Sequence, residues 1–145
     1  MEFKLYDTAF LSEKEFFHLM EKASKIFTPP ISEEVDLEVY SNKLYTHASF
    51  VVCSDVGKVR AFTAFYKNME TKQLYISLIC VDKGSQGQGI GSKMLAILSN
   101  LSVEGFSSIG LEVVKANVGA YHFYKKHGFK EQEDRGKKFL MTKCI

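Results

Sequence analysis

The sequence lacks most of the features that would assign it to a membrane, secreted or nucleic-acid-binding class. No apolar run approaches the ~20 residues that a membrane-spanning helix needs. The first residues include acids and lack a basic stretch followed by an apolar one, so we expect no signal peptide and a cytoplasmic location. A net charge of +2 with mixed signs predicts neither a nucleic-acid nor a membrane-surface partner.

Cysteine is also scarce. The three cysteines, Cys53, Cys80 and Cys144, are odd in number, and each lies among strand-like apolar residues, so we expect buried free thiols rather than catalytic ones. What remains is a chain of 145 residues with a hydrophobic fraction of 46%, including 12 Phe and 7 Tyr. This composition predicts a single packed domain over residues 1–145.

Glycine, by contrast, is concentrated in one place. The apolar run from Tyr75 to Val81 predicts a buried strand, and Gly84, Gly87, Gly89 and Gly91 follow it before a helical pattern begins. Glycine lets the backbone curl so that several N–H groups point into one concavity, and the first turn of the helix adds partial positive charge. The segment therefore predicts a phosphate or pyrophosphate site; the alternative is a tight loop that needs glycine for steric reasons alone.

Two nucleotide-binding motifs do not fit this loop. A Walker loop needs a lysine directly after its last glycine, but Gly89 is followed by Ile90 and Gly91, so we expect no nucleoside triphosphate. A dinucleotide fingerprint can be traced through Gly87 and Gly89, with Glu112 roughly 20 residues further on. The chain after Glu112 is too short for the further strand–helix units that a dinucleotide fold requires.

The spacing of Gln86-Gly87-Gln88-Gly89-Ile90-Gly91 resembles the Gln/Arg-x-x-Gly-x-Gly pyrophosphate loop of the GNAT superfamily of N-acetyltransferases. A second segment, from Asn117 to Phe129, is similar to that family's Asn-x-x-Ala-x-x-Phe-Tyr-x-x-x-Gly-Phe signature. The two motifs follow each other in the family's order, and the likeness covers residues 74 to 130. The resemblance implies acetyl coenzyme A as the acyl donor and an amine as the acceptor.

Periodicity and turn residues predict elements in the order β-α-α-β-β-β-α-β-α-β-β. The helices are predicted over 12–27, ending at Thr28-Pro29-Pro30, over 32–44 with Ser32 as N-cap, from the glycine loop to Gly105, and from Asn117 to Gly128. The strands are predicted over 3–7, 47–54, 58–66, 74–81, 107–114, 129–134 and 137–144. The order is that of the GNAT fold, an α/β (α+β) fold with a mixed central sheet of about seven strands and flanking helices.

The resemblance also implies where the donor binds. In the family, the strand before the loop and the strand after the next helix splay apart, and their unpaired backbone groups hold the pantetheine arm. Here the splayed edges would be Leu78 to Val81 and Glu112 to Val114. For Gln86 and Gln88 we expect the backbone amides rather than the side chains to matter. The implied donor-binding residues are Leu78, Ile79, Cys80, Val81, Gln86, Gly87, Gln88, Gly89, Ile90, Gly91, Ser92, Asn117, Ala120, Phe123 and Tyr124.

Tyr124 matches the position of the family's tyrosine acid, whose hydroxyl would protonate the departing thiolate after direct attack by the amine. The alternative role is that of an amphipathic core tyrosine with a satisfied hydroxyl. Asn117 resembles the family's asparagine that contacts the pantetheine, and it is also a candidate helix N-cap.

The acceptor side is defined less well. In the family, the first two helices and the loop between them form one wall of the acceptor cleft, and here that wall is aromatic and acidic, which suits a small cationic amine or an amino sugar. The general base stays unassigned, because central-strand Tyr75 and Ser77 are poor bases at neutral pH; the alternatives are a chain of water molecules or one of Glu112, Asp36, Glu38 and His47. The substrate-binding candidates are Phe27, Glu33, Glu34, Asp36, Tyr75, Ser77 and Glu112, with Pro29 and Pro30 beside them.

Together these features predict an N-acetyltransferase that uses acetyl coenzyme A to acetylate a primary amine of a small molecule. Two alternatives stay open: a GNAT-like module that binds coenzyme A without turnover, and an enzyme whose acceptor is a protein or peptide amine. A larger acyl donor and a homodimer also stay open. No metal is expected, because the histidines lack a partner carboxylate at ligand spacing.

Overall fold

A computed structural model describes residues 1–27 and 29–145. Short 3-10 turns at Lys83–Ser85 and Asn100–Glu104 precede and follow the fourth helix. The described residues form the strands and helices β1 (Glu2–Tyr6), α1 (Glu13–Ser24), α2 (Ile31–Glu34), α3 (Leu37–His47), β2 (Ser49–Asp55), β3 (Lys58–Asn68), β4 (Gln73–Val81), α4 (Ile90–Ser99), β5 (Ser108–Val114), α5 (Val118–Lys126), β6 (Lys130–Asp134) and β7 (Lys138–Cys144).

The strands form one sheet in the order β1-β2-β3-β4-β5-β7-β6. Every neighbouring pair is antiparallel except β4 and β5, which are parallel because α4 crosses between them. The seven-stranded mixed sheet confirms the predicted fold class.

Two apolar cores lie on opposite faces of this sheet. Alternate residues of β2 divide between them: Val51 belongs to one core, and Phe50 and Val52 belong to the other. The first core packs α4 and α5 on the sheet and includes the fully buried Met94 and Leu98; we call this side the α4 face. The second packs α1 and α3, and we call it the α1 face. Its largest buried side chains are Phe16, Met20, Leu44, Phe50 and Phe62.

Several local predictions are confirmed. The capping box is present at α1, since the Ser12 side chain accepts from the Glu15 N–H and the Glu15 side chain accepts from the Ser12 N–H. Gly105 and Gly128 have φ of 95° and 91°, the left-handed conformation that glycine adopts most easily at helix ends. These residues set where the helices begin and end.

The first two helices differ from the prediction. α1 ends at Ser24 rather than at Phe27, and Thr28 lies outside the described residues. The single helix predicted over 32–44 is divided into α2 and α3, because Val35 is extended with φ of −142°. Asp36, not Ser32, provides the cap: its Oδ1 accepts from the Val39 N–H at 3.1 Å and starts a new helix.

The cysteine prediction is right for two residues and wrong for the third. Cys53 and Cys80 are buried free thiols, whereas Cys144 is an exposed free thiol at the end of β7. Across residues 1–27 and 29–145, no helix has both the length and the apolar character that crossing a membrane requires.

Candidate functional site

The parallel pair at the centre of the sheet opens partway along its length. β4 pairs with β5 from Gln73–Ser108 to Ile76–Leu111. Beyond this point β4 stays paired with β3, and β5 stays paired with β7. The two strands therefore diverge, and the backbone edges of residues 78–81 and 112–114 face each other across a wedge, where the resemblance implied a splay.

A β-bulge in β4 coincides with the start of this wedge. Leu78 pairs with Ala64 and Ile76 pairs with Phe65, so Ser77 is an extra residue in β4. Ile76 belongs to the core on the α4 face, but Leu78 belongs to the core on the α1 face. The bulge therefore reverses the alternation of β4 and turns Ile79 and Val81 toward the α4 face.

The glycine loop connects the end of β4 to α4. Gly87 and Gly89 have φ of 81° and 74°, and Gly89 is the N-cap of α4. A Cβ atom added at either position would meet nothing within 4 Å, so both positions border open space. Among the described residues, the amides from Gln86 to Gly89 donate no backbone hydrogen bond. These free amides and the first turn of α4 fit a bound pyrophosphate.

One loop side chain has a defined contact that the sequence analysis did not expect. Gln86 Nε2 donates to the carbonyl oxygen of Val81 at 3.1 Å. This bond closes the loop back onto the end of β4. The Gln86 side chain therefore shapes the loop, in addition to any contact its backbone amide makes.

The wedge and the loop together form a cleft of about 520 Å³. Phe27, three residues beyond the end of α1, reaches it from the α1 side of the sheet. Val113 and Val114 also line it; the sequence analysis named them only as a strand edge. The lining residues are Phe27, Ser77, Leu78, Ile79, Val81, Gln86, Gly87, Gly89, Ile90, Gly91, Ser92, Glu112, Val113, Val114, Asn117, Ala120, Phe123 and Tyr124.

α5 supplies one wall of the cleft. Asn117 is the N-cap of α5, with its Oδ1 accepting from the Ala120 N–H at 3.1 Å, so the capping role considered for it is present. The Phe123 ring packs close to the backbone of Gly91 in the first turn of α4, where an added Cβ would lie 3.2 Å from it. Glycine at position 91 thus lets α5 approach α4 closely.

Tyr124 lies on the same wall, with its ring 5.6 Å from that of Phe129 in an edge-on arrangement. Burial raises the pKa of Tyr124 to about 12. The phenol therefore holds its proton throughout the physiological pH range. A group in this state can donate a hydrogen bond or a proton to an anion that forms in the cleft.

Two hydrogen-bond networks lie at the α1 side of the wedge. The Tyr40 hydroxyl on α3 lies 2.8 Å from Ser77 Oγ. The Tyr75 hydroxyl donates to Glu112 Oε1 at 3.4 Å, and Arg135 Nη1 donates to Glu112 Oε2 at 3.2 Å. Burial and the neighbouring Glu112 raise the pKa of Tyr75 to about 12, so Tyr75 cannot serve as a base near neutral pH.

A serine–histidine pair joins α4 to the end of α5. Ser92 Oγ lies 2.9 Å from His127 Nε2, and Ser92 lines the cleft. The two residues are 35 positions apart and no local sequence pattern links them, so a role for His127 could not be predicted.

Six of the donor-binding and substrate-binding candidates lie outside the described lining of the cleft, as do the base candidates Glu38 and His47. The side chain of Cys80 belongs to the core on the α1 face, because the bulge turns it there, and burial raises its pKa to about 12. Asp36 caps α3 and lines a separate groove between α1 and α3. The remaining four are Gln88, Tyr75, Glu33 and Glu34. The acidic wall expected from Glu33, Glu34 and Asp36 is therefore not part of this cleft in the described structure.

Comparison with known proteins places these features in a family. The family model for the acetyltransferase (GNAT) family matches residues 16–129. This match spans most of the chain, including β4, the glycine loop, α4, β5 and α5. The chain belongs to the GNAT family of acetyltransferases.

The chain is also similar to individual proteins, in sequence or in fold. The chain is similar to blasticidin-S acetyltransferase from Streptomyces morookaense, with 29% identity over 101 residues, 70% of this chain and 67% of that protein. It is also similar to the crystal structure of PH1933 from Pyrococcus horikoshii OT3, with a TM-score of 0.81, 25% identity and 99% of each chain covered. The PaiA N-acetyltransferase from Thermoplasma acidophilum, crystallised with coenzyme A, shares the fold at a TM-score of 0.76 and 16% identity, with 100% of each chain covered.

Proposed function

We propose that this protein transfers the acetyl group of acetyl coenzyme A to a primary amine of a small molecule, with Tyr124 as the general acid. The observation that carries this proposal is the environment of Tyr124. Its phenol is half-buried on the wall of the cleft and its pKa is about 12, so it keeps the proton that a departing thiolate requires.

Some groups of the cleft bind the donor, and others stabilise the reaction. The free amides of the glycine loop and the first turn of α4 hold the pyrophosphate, and the open edges of β4 and β5 hold the pantetheine arm. Bound there, the cosubstrate supplies a thioester that an amine attacks directly. Backbone N–H groups on the open edge of β4 stabilise the charge that develops on the carbonyl oxygen.

The charge of the cleft favours a cationic acceptor. Glu112 is the one carboxylate among the described lining residues; at the α1 side of the wedge its Oε2 accepts from Arg135 and its Oε1 accepts from Tyr75. The described lining residues include no cationic side chain, so this carboxylate suits an ammonium group before the amine loses its proton. The relative named blasticidin-S acetyltransferase supports a small acceptor. The class of acceptor proposed is therefore a small cationic amine or an amino sugar.

A panel of amines tests this function. The purified protein is incubated with acetyl coenzyme A and, separately, with spermidine, glucosamine, glutamate and a short peptide with a free N-terminus. We expect mass spectrometry to detect acetylated spermidine or glucosamine, together with free coenzyme A thiol, and little product from glutamate. Acetylation of the peptide alone would overturn the small-molecule assignment. Coenzyme A binding without product from any amine would favour a binding module without turnover.

A further inference from the structure

The contact between Ser92 and His127 connects the donor cleft to an imidazole at the end of α5. Ser92 is in the first turn of α4, where the N–H groups available to a phosphate are found. His127 is the C-terminal cap of α5, and its ring centroid lies 4.6 Å from that of Phe123. The hydrogen bond of 2.9 Å fixes the imidazole beside the serine hydroxyl.

The charged groups that face His127 are cationic. Lys126 is its neighbour on α5, and Lys143 on β7 passes along the adjacent Gly128. From α4, the imidazole meets the uncharged Ser92 hydroxyl. Partial burial and then the two lysines lower the pKa of His127 below its ordinary value. In the free protein the imidazole is therefore neutral at pH 7. A bound anion would offset the positive charge of the two lysines around it.

We propose that His127 is a positioning residue for the donor, which takes up a proton when coenzyme A binds and, as an imidazolium, donates to Ser92 Oγ. The Ser92 O–H is then free to donate to a phosphate oxygen. One proton moves from solvent to the imidazole, and no covalent bond changes. The proposal rests on the proposed placement of the pyrophosphate at the glycine loop.

The direction of the pH dependence follows from this arrangement. A phosphate at the first turn of α4 brings negative charge close to the pair, and an opposite charge raises the pKa of a histidine. Where the pH lies between the free and bound pKa values, binding takes up a proton. Below both values His127 is already charged and the affinity is highest; above both it stays neutral and the affinity is lowest. A pKa rise of one unit corresponds to roughly a tenfold change in affinity.

The test is calorimetric titration of the protein with coenzyme A at pH 6 and pH 8, in buffers that differ in ionisation enthalpy. We expect Kd to rise about threefold to tenfold from pH 6 to pH 8 beyond the change contributed by coenzyme A's own phosphate, with measurable proton uptake on binding. His127→Gln places an amide near the position of Nε2 but does not titrate, so this added pH dependence should disappear. His122→Gln, an exposed histidine on the same helix, is the matched control and should behave as the unmodified protein.

The imidazole can also be observed directly. In NMR titrations, the His127 ring should show a higher pKa with coenzyme A bound than without, and Ser92→Ala should reduce that increase. The phosphomonoester of coenzyme A also titrates near pH 6, but it contributes equally to every variant and cancels in the comparison. Equal proton uptake by the unmodified protein and His127→Gln would overturn the proposal, as would a His127 pKa that coenzyme A leaves unchanged. Neither result would affect the acetyltransferase assignment, which fails only if no amine is acetylated.

Discussion

The Tyr40 hydroxyl on α3 lies 2.8 Å from Ser77 Oγ, the extra residue of the β4 bulge. This hydrogen bond ties the helical layer of the α1 face to the point where the sheet opens. The same bond therefore contributes to the stability of the fold and holds β4 at the point that shapes the cleft.

Replacing Tyr40 by phenylalanine removes this bond but keeps the ring. We expect the free energy of unfolding, measured in urea, to fall by about 1 kcal/mol, because a partly buried hydroxyl loses its partner. Tyr45→Phe on the same helix is the control, since the Tyr45 hydroxyl makes no side-chain hydrogen bond within the described residues and should be replaceable without loss. Equal effects of the two changes would show that the Tyr40–Ser77 bond contributes nothing of its own.

Tyr124→Phe should lower kcat by roughly 10²-fold to 10⁴-fold while the Kd of the donor hardly changes, because only the proton donor is removed. Steady-state kinetics and calorimetric titration with coenzyme A measure the two quantities. Tyr121→Phe is the control on α5, since the Tyr121 hydroxyl donates to Glu131 on the surface at 2.7 Å. The loss should be smaller for a donor with a more stable leaving thiolate. If Tyr124→Phe kept a near-normal kcat while the chemical step was rate-limiting, Tyr124 would be a packing residue and not the general acid.

The pH profile of kcat offers an independent check on Tyr124. Its raised pKa of about 12 means that the hydroxyl is protonated, and so able to donate, at every pH below that value. Loss of this proton cannot lower kcat between pH 7 and pH 10. If an alkaline fall in kcat within that range disappeared in Tyr124→Phe, the acid would have a much lower pKa than its environment implies.

Gly89→Asp should abolish the rise in melting temperature that coenzyme A produces, because it places a negative charge in the loop that holds the pyrophosphate. Differential scanning fluorimetry over a range of coenzyme A concentrations measures the shift. The matched control is Gly57→Asp in the β2–β3 turn, where φ of 76° imposes the same left-handed strain but no ligand is proposed. Both variants should melt at lower temperature without ligand, and only Gly57→Asp should keep the shift. A shift retained in Gly89→Asp would remove the loop from the donor site.

Glu112→Gln should raise KM for a cationic acceptor by roughly tenfold, the scale expected for one lost hydrogen bond to a charged group. The Kd of coenzyme A should change little. Glu33→Gln removes a similar charge outside the described lining of the cleft and is the control. A larger effect from Glu33 than from Glu112 would restore the acidic wall that the sequence predicted on the first helices.

The stability of the protein without ligand should fall as pH falls through the range where His127 titrates. Its folded pKa is lowered, so below its ordinary value of about 6.5 the unfolded chain binds more protons than the folded one. That contribution to stability is fully present above pH 7 and decreases as the pH drops toward the folded pKa. Urea unfolding at pH 5.5 and pH 7.5 should show a smaller difference for His127→Gln than for the unmodified protein. An unchanged difference would assign the pH dependence to other groups.

The parts of the site that the sequence predicted are those encoded locally. Gly87 and Gly89 allow the left-handed backbone that the loop adopts. Asn117 caps α5 by accepting from the N–H of Ala120, only three residues further on. The strand, loop and helix that hold the donor could therefore be placed from a short stretch of the chain. The GNAT resemblance added the fold around that stretch.

The parts that could not be predicted depend on which of two residues caps a helix, or on contacts between residues far apart in the sequence. Asp36 takes the N-cap of α3, and the resulting break at Val35 divides what hydrophobic periodicity presents as one helix. The bulge at Ser77 leaves no mark on the apolar pattern of β4, so the direction of Cys80 could not be read from alternation. The approach of His127 to Ser92 depends on how α5 packs on α4.

The bulge at Ser77 makes the opening of the sheet depend on the number of residues in β4 rather than on their kind. Ser77 and Leu78 share the α1 face, so deletion of Ser77 would leave Ile76, Leu78 and Ile79 on the faces that they already occupy. Both cores would keep their side chains while β4 lost the bend from which it departs from β5. Loss of a single codon would then narrow the donor cleft without disturbing the packing of the protein. Conversely, the gain of one codon in a regular central strand would be enough to begin such a cleft.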